Sequence, residues 1–411
     1  MIYTFYAVAC CAVIDTVLRS MFRRDIEDLR SPEIPGTTLL ITFIIWCVGL
    51  AVLAPALFDG LVTVTPDHHI LQAGRLTSSN IAQLTYLILG VAVVIILARD
   101  PRTGPRILGI SLSLAMALSM WRYLATELHV WFPAGVFDNA PTLTYIETAP
   151  GGAPRFRGIF SEPSALAGSA LVAIAYGLAR AGQLRGVRRF PPLILAGVAA
   201  FLGAVSTSTT FIIAGAVVAV ILLALSAFEF AVARARVGLG TAIVGCLVVL
   251  ALTWLAAPAA RTVLSAFNGK VSTASFSERT DANVASYNVF GETWGLGVGL
   301  GSGRASSFIA TLVSTTGIVG TALFVAAIAL IAYSSLSIRQ ARPALWVLIT
   351  LLVTKAVAGP DLSDPTGLLW MTLGVLAAAK IQQDRAAHKL QHAAKPGDLP
   401  QVAHSAHRVA A

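Results

Sequence analysis

Apolar runs long enough to cross a bilayer recur along the whole chain, and this decides most of what it can fold into. A spanning helix needs about 20 mostly apolar residues, because backbone polar groups in hydrocarbon must be satisfied within the segment itself. Eleven candidates fall near residues 2–18, 37–58, 81–98, 107–125, 159–179, 192–206, 209–228, 237–256, 306–333, 343–357 and 366–380. Hydrophobic residues make up 56% of the 411 positions and charged ones 12%, against roughly 45–50% and about 25% in soluble domains. A soluble globular enzyme is excluded. The sequence predicts an all-α, polytopic integral membrane protein of about eleven transmembrane helices. The first run has no small-residue cleavage site after it and is followed by Arg19, Arg23 and Arg24, so it reads as a retained span rather than a signal peptide.

The formal charge of +9, from 29 Lys and Arg against 20 Asp and Glu, is spread between apolar runs and is not gathered on one face. It therefore reports topology rather than nucleic-acid binding. With eleven spans and the C-terminus inside, the inside segments hold 20 basic residues and the outside segments 7, with Arg122 and Lys355 in spans. The opposite orientation would violate the positive-inside bias. Residues 1–381 read as one transmembrane domain with two long outside loops, near 126–158 and 257–305. Residues 382–411 lack an apolar period and read as a disordered cytoplasmic tail. The trio Asp67, His68 and His69 reads as a surface loop, because adjacent side chains rarely converge on one ion, and no metal site is expected.

Basic residues on the translocated side run against the bias, and two segments concentrate them. One is Arg155-Phe-Arg157-Gly158-Ile-Phe160-Ser161-Glu162-Pro163-Ser164, running straight into an apolar run. A carboxylate there gains from the helix N-terminus and nearby guanidinium groups. The bland alternative is a helix-capping Ser-Glu-Pro beside interfacial arginines. The other is Glu278-Arg279, followed by glycines at every second position from Gly295 to Gly303, then Arg304 and Ser306-Ser307. Such a string frees the backbone to bring several N–H groups onto one ligand at a helix N-terminus, a seat for an oxyanion or phosphate. It lacks the spacing of nucleotide-binding loops; the bland alternative is glycines at close helix contacts. Arg122 either snorkels to the interface or reaches the same cavity.

In this order these pieces resemble the O-antigen ligase and Wzy-type polysaccharide polymerase superfamily. The motifs are the Arg-rich loop into Gly158-Ile-Phe160-Ser161-Glu162-Pro163-Ser164, the later Gly297-Val-Gly299-Leu-Gly301, and Gly317-Ile-Val-Gly320-Thr321, separated from Ser306-Ser307 by nine intervening residues. Ser306 stands where a ligase carries its histidine, which favours a polymerase. The resemblance implies a GT-C-like, inverting glycosyltransferase that needs neither metal nor cofactor. It would act on undecaprenyl-diphosphate-linked glycans at the periplasmic face of a bacterial inner membrane, alongside a chain-length regulator and a flippase. It places Arg157, Arg279 and Arg304 around the diphosphate, the register of Arg155 against Arg157 being open, and does not settle Glu162, where the family pattern more often has a different polar residue. Because the acceptor sugar hydroxyl must lose a proton as it attacks, a carboxylate such as Glu162 is the candidate general base. Arg155, Ser161, Ser164, Gly299, Gly301, Ser306 and Arg122 complete the expected substrate contacts. The chemistry fits these residue types: without a metal, guanidinium groups and helix N-termini must stabilise the leaving diphosphate. Two other readings stand beside it, a ligase that transfers the glycan to another acceptor and a transporter of lipid-linked oligosaccharide or sugar.

Overall fold

The apolar runs fold as helices. A computed structural model of the chain describes residues 4–22, 33–64, 70–137, 155–233, 274–359, 361–364 and 366–393. The order is α1 (Thr4–Phe22), α2 (Thr37–Leu57), α3 (Ser78–Arg99), α4 (Arg106–Leu128), the single turn α5 (Ala134–Phe137), α6 (Pro163–Gln183), α7 (Phe190–Val205) and α8 (Thr209–Ala233). After these come α9 (Ala274–Glu292), α10 (Phe308–Ser335), α11 (Arg342–Val357) and α12 (Leu368–Ala393). Among the described residues there is no strand beyond one isolated bridge between Val62 and Ile70. Among the described residues, seven helices are long and apolar enough to cross a membrane: α2, α3, α4, α6, α10, and α7 and α11 with the 3₁₀ turns that precede them. The protein is thus an all-helical, multi-pass membrane protein. The expected run at 237–256 lies outside the described residues, as do Asp67, His68 and His69.

Local sequence sets the helix starts. Thr77 and Asn80 form a reciprocal capping box at α3, and prolines in the first turns of α6, α7 and α11 occupy positions where the missing N–H has no intrahelical partner in any case. Large apolar side chains such as Ile45, Ile110 and Ile194 are exposed around the bundle, which suits a hydrocarbon surround. The first half of α12 has no such face: Leu369, Trp370, Leu373, Val375, Leu376 and Ala377 are fully buried, so α12 runs through the interior. Trp370 packs on α3 at Gly90, where a Cβ would stand 2.5 Å from the indole. Close approach at small residues is what holds helices together where lipid is as apolar as the interface.

Helix α12 also corrects the expected boundary of a disordered tail at Gln382. The helix continues to Ala393, because Lys380 pairs with Asp384 one turn on at 2.7 Å and Gln382 donates to the carbonyls of Pro101 and Thr103 at 3.2 and 2.8 Å. Residues 394–411 lie outside the described residues.

The glycine string repairs a broken helix. Within α10, Gly317 has φ 69° and ψ −172°, which interrupts the hydrogen-bond ladder and frees carbonyls that are costly to leave unpaired in an apolar setting. The segment before α10 supplies partners. Val298 N donates to Ser314 O at 2.9 Å, Gly299 N donates to Thr315 O at 3.0 Å, and Ile318 N returns a bond to Gly295 O at 2.9 Å. Trp46 of α2 donates its indole N–H to Thr316 O at 2.8 Å. Gly295, Gly297, Gly299 and Gly301 all have φ between 78° and 89°, a left-handed backbone that glycine adopts readily.

Candidate functional site

A cavity of about 1290 Å³ opens at one end of the bundle. There the chain leaving α2 (60–64), the start of α6, the segment entering α10, the end of α11 and one face of α9 meet. Glu162, Ser164, Arg279, Arg304 and Ser306 all line it. Residues from two segments more than a hundred positions apart, 162–164 and 279–306, therefore share one chamber.

Each is placed by its element. Glu162 is the N-cap residue of α6, in extended conformation ahead of Pro163; its carboxylate makes no capping bond to the backbone and instead accepts from Ser164 Oγ at 2.9 Å. The preceding turn is docked on α4: Gly158 has φ 58°, Ile159 N donates to Ser119 Oγ at 3.3 Å, and Phe156 meets Tyr123 edge to face at 5.5 Å. Arg155 and Arg157 flank Phe156 and take different roles. Arg157 donates from Nη1 to Phe160 O at 3.4 Å. Burial pushes the Arg155 guanidinium below its ordinary value, the charge of Arg279 adds to that push, and Glu162 opposes it. Arginine remains charged through such shifts. Arg155 Nε is buried without a hydrogen-bond partner among the described residues. Arg155 is thus linked electrostatically to Arg279 and Glu162, and neither Arg155 nor Arg157 is among the residues that line the cavity.

Ser306 is held by its backbone: Asn283 Oδ1 of α9 accepts from the N–H groups of both Ser306 and Ser307 at 3.0 Å. Arg304 donates from Nη2 to Asp361 Oδ2 at 3.0 Å. No family model, curated protein or solved structure matches this chain. Function must therefore be argued from the cavity itself.

Other expected contacts lie elsewhere. Several amides of the glycine string are engaged within the protein: Gly297 N donates to Thr293 Oγ1, Gly299 N to Thr315 O, Ser302 N to Gly299 O and Arg304 N to Val64 O. A Cβ on Gly299 would stand 2.8 Å from Ala51 Cα, and one on Gly301 2.8 Å from Asn80 Cα. Both glycines serve close packing, and neither lines the cavity. Ser161 is exposed and outside the lining. Arg122 lies over the Phe132 ring at 5.6 Å, in an aromatic group with Trp121 and Trp131 at the end of α4, and does not line the cavity either. Among the described residues no three His, Cys, Asp or Glu side chains are grouped to hold a metal ion.

The structure adds residues that sequence reasoning left out. Helix α9 lies where a long loop was expected and turns Asp281, Ala285, Asn288 and Glu292 to the cavity. Their spacing of four, three and four is the signal of one helical face, legible in a segment too polar to attract attention as a helix. Asp361, the partner of Arg304, was visible only as a charge in a short connection. The arrangement brings the cationic side chains of Arg279 and Arg304 and the carboxylates of Glu162, Asp281 and Glu292 to one chamber.

Proposed function

We propose that this chain is a membrane glycosyltransferase that polymerises undecaprenyl-diphosphate-linked oligosaccharide repeats into a surface polysaccharide at the periplasmic face of a bacterial inner membrane. The observation that carries the reading is the sharing of one cavity by Glu162, Arg279 and Arg304, with Arg155 electrostatically tied to the first two. In the reaction an acceptor sugar hydroxyl attacks the anomeric carbon of the donor. The bond from that carbon to the phosphate oxygen breaks, and the diphosphate leaves with the electron pair. Arg279 and Arg304 stabilise the charge that develops on it, as preorganised cations do most effectively in a water-poor site. Glu162 takes the hydroxyl proton as general base. An eleven-span, GT-C-like bundle with its cavity facing outward is part of the same proposal, supported by the distribution of Lys and Arg along the chain.

One observation leans to a transporter, the broken helix α10, since discontinuous helices build transport sites near the bilayer midplane. Here the groups freed by the break are bonded to the glycine string and Trp46 rather than turned to a ligand, so the enzyme reading is preferred. The test is the purified chain in detergent with single lipid-linked repeats: formation of dimers and longer glycans supports it. Movement of the repeats across vesicles without bond formation decides for the transporter. A Glu162→Gln variant that reaches the membrane normally and makes polymer of undiminished length removes the base assignment.

A further inference from the structure

The cavity wall formed by Arg304 is braced from behind by a chain of charges that starts at a buried lysine. Lys355, in the last turn of α11, is buried with its Nζ 3.4 Å from Asp364 Oδ1, and the side chains of the two residues are 8% and 5% exposed. The same ammonium donates to the backbone carbonyl of Asp361 at 2.9 Å and lies 5.6 Å from the centroid of Phe308, the first residue of α10. Asp364 in turn accepts from Leu369 N at 2.7 Å through Oδ2 and from Thr366 Oγ1 at 2.9 Å through Oδ1, fixing the connection to the start of α12. Asp361 is thereby pinned through its backbone, and its side chain, 19% exposed, reaches the half-exposed Arg304 at 3.0 Å.

We infer that Asp361 is a positioning residue that aims the Arg304 guanidinium into the cavity, with the Lys355–Asp364 pair as the anchor that fixes Asp361. A guanidinium on a long, half-exposed stem samples many rotamers, and an anionic ligand must collect it from all of them. A carboxylate on a rigid backbone removes most of that search while occupying one of the five guanidinium N–H donors. The remaining donors serve the incoming anion. This inference rests on the proposed role of Arg304 at a diphosphate.

The test uses the full chain purified in detergent and inorganic diphosphate as the probe, titrated calorimetrically. Asp361→Asn is expected to weaken diphosphate binding by about fivefold to tenfold and Arg304→Gln by at least as much. The double variant should be no weaker than Arg304→Gln alone, because Asp361 acts only through Arg304. A fold defect would not produce that non-additivity. If Asp361→Asn does not accumulate, Asp361→Ala is read in the same way. Unchanged or tighter binding in the Asp361 variant, or effects that multiply in the double variant, overturns the positioning role while leaving Arg304 at the diphosphate. Absence of diphosphate binding by the unaltered chain, or a normal affinity in Arg304→Gln, overturns both readings.

Discussion

The indole N–H of Trp46 and the carbonyl of Thr316 meet at 2.8 Å across 270 residues of chain. The bond joins α2 to α10 at the point where α10 is broken, and it satisfies an acceptor that the helix itself has released. Replacing Trp46 by Phe keeps most of the ring and deletes the donor. The expected loss is about 1–3 kcal/mol, the cost of stranding a buried acceptor, read as a lower unfolding midpoint in detergent. A midpoint equal to that of the unaltered protein would show that the carbonyl finds another partner.

The break at Gly317 admits no side chain. Its φ is 69°, and a Cβ would stand 2.1 Å from Leu296 O. Gly317→Ala should abolish accumulation of folded protein in the membrane. Gly303, in the same string, lies outside the left-handed region, and the nearest atoms to a Cβ there are 3.6 and 3.7 Å away. Gly303→Ala should stay within about 0.5 kcal/mol of the parent. Equal behaviour of the two variants in a membrane-level assay would count against the repaired-helix account.

Arg155 and Arg157 are two residues apart and should not be equivalent. Arg155 is linked electrostatically to Arg279 and Glu162, and Arg157, among its interactions, donates to Phe160 O in its own turn. Substitution of Arg155 by Ala should lower glycan transfer by about 10²-fold, the scale of losing a charge-stabilising donor, and Arg157→Ala by less than about tenfold. Initial rates on one lipid-linked substrate at saturating acceptor measure both, and the reverse order would return the role to Arg157.

The Lys355–Asp364 pair predicts a stability pattern of its own. Lys355→Met leaves a buried carboxylate without its cation, which costs about 3–5 kcal/mol. Adding Asp364→Asn to that variant should recover part of the loss by removing the stranded charge, although Leu369 N then has a weaker acceptor. Thermal unfolding of the single and double variants reads the difference; a double variant less stable than Lys355→Met would show that the acceptor role of Asp364 outweighs its charge.

The helices were legible because length and apolarity alone specify them: the runs at 37–58, 81–98 and 107–125 coincide closely with α2, α3 and α4. The cavity was legible in part, through charges retained against the topological bias, and Glu162, Arg279 and Arg304 do share it. Alternating glycines look the same in a one-dimensional string whether they cradle a ligand or a helix. The deciding fact, that Ser314 and Thr315 offer free carbonyls, depends on a break made by one residue in α10. Asp361 escaped notice for a related reason, since an acidic residue in a short connection carries no spacing that reveals a partner 57 positions earlier. Helix α9 was hidden by polarity: a helix roofing a chamber needs no apolar run.

The glycine string also fixes how the chain can vary. Left-handed positions recur at every second residue from Gly295 to Gly301, each facing backbone or a side chain already in contact. Loss of one residue from this stretch would move Val298, Leu300 or Ser302 into a slot shaped for hydrogen alone, and would do so at several slots together. The string therefore acts as a ruler with a pitch of two residues. Single insertions and deletions should be excluded between Trp294 and Ser302, while pairs of residues that preserve the alternation leave the remaining slots correctly filled.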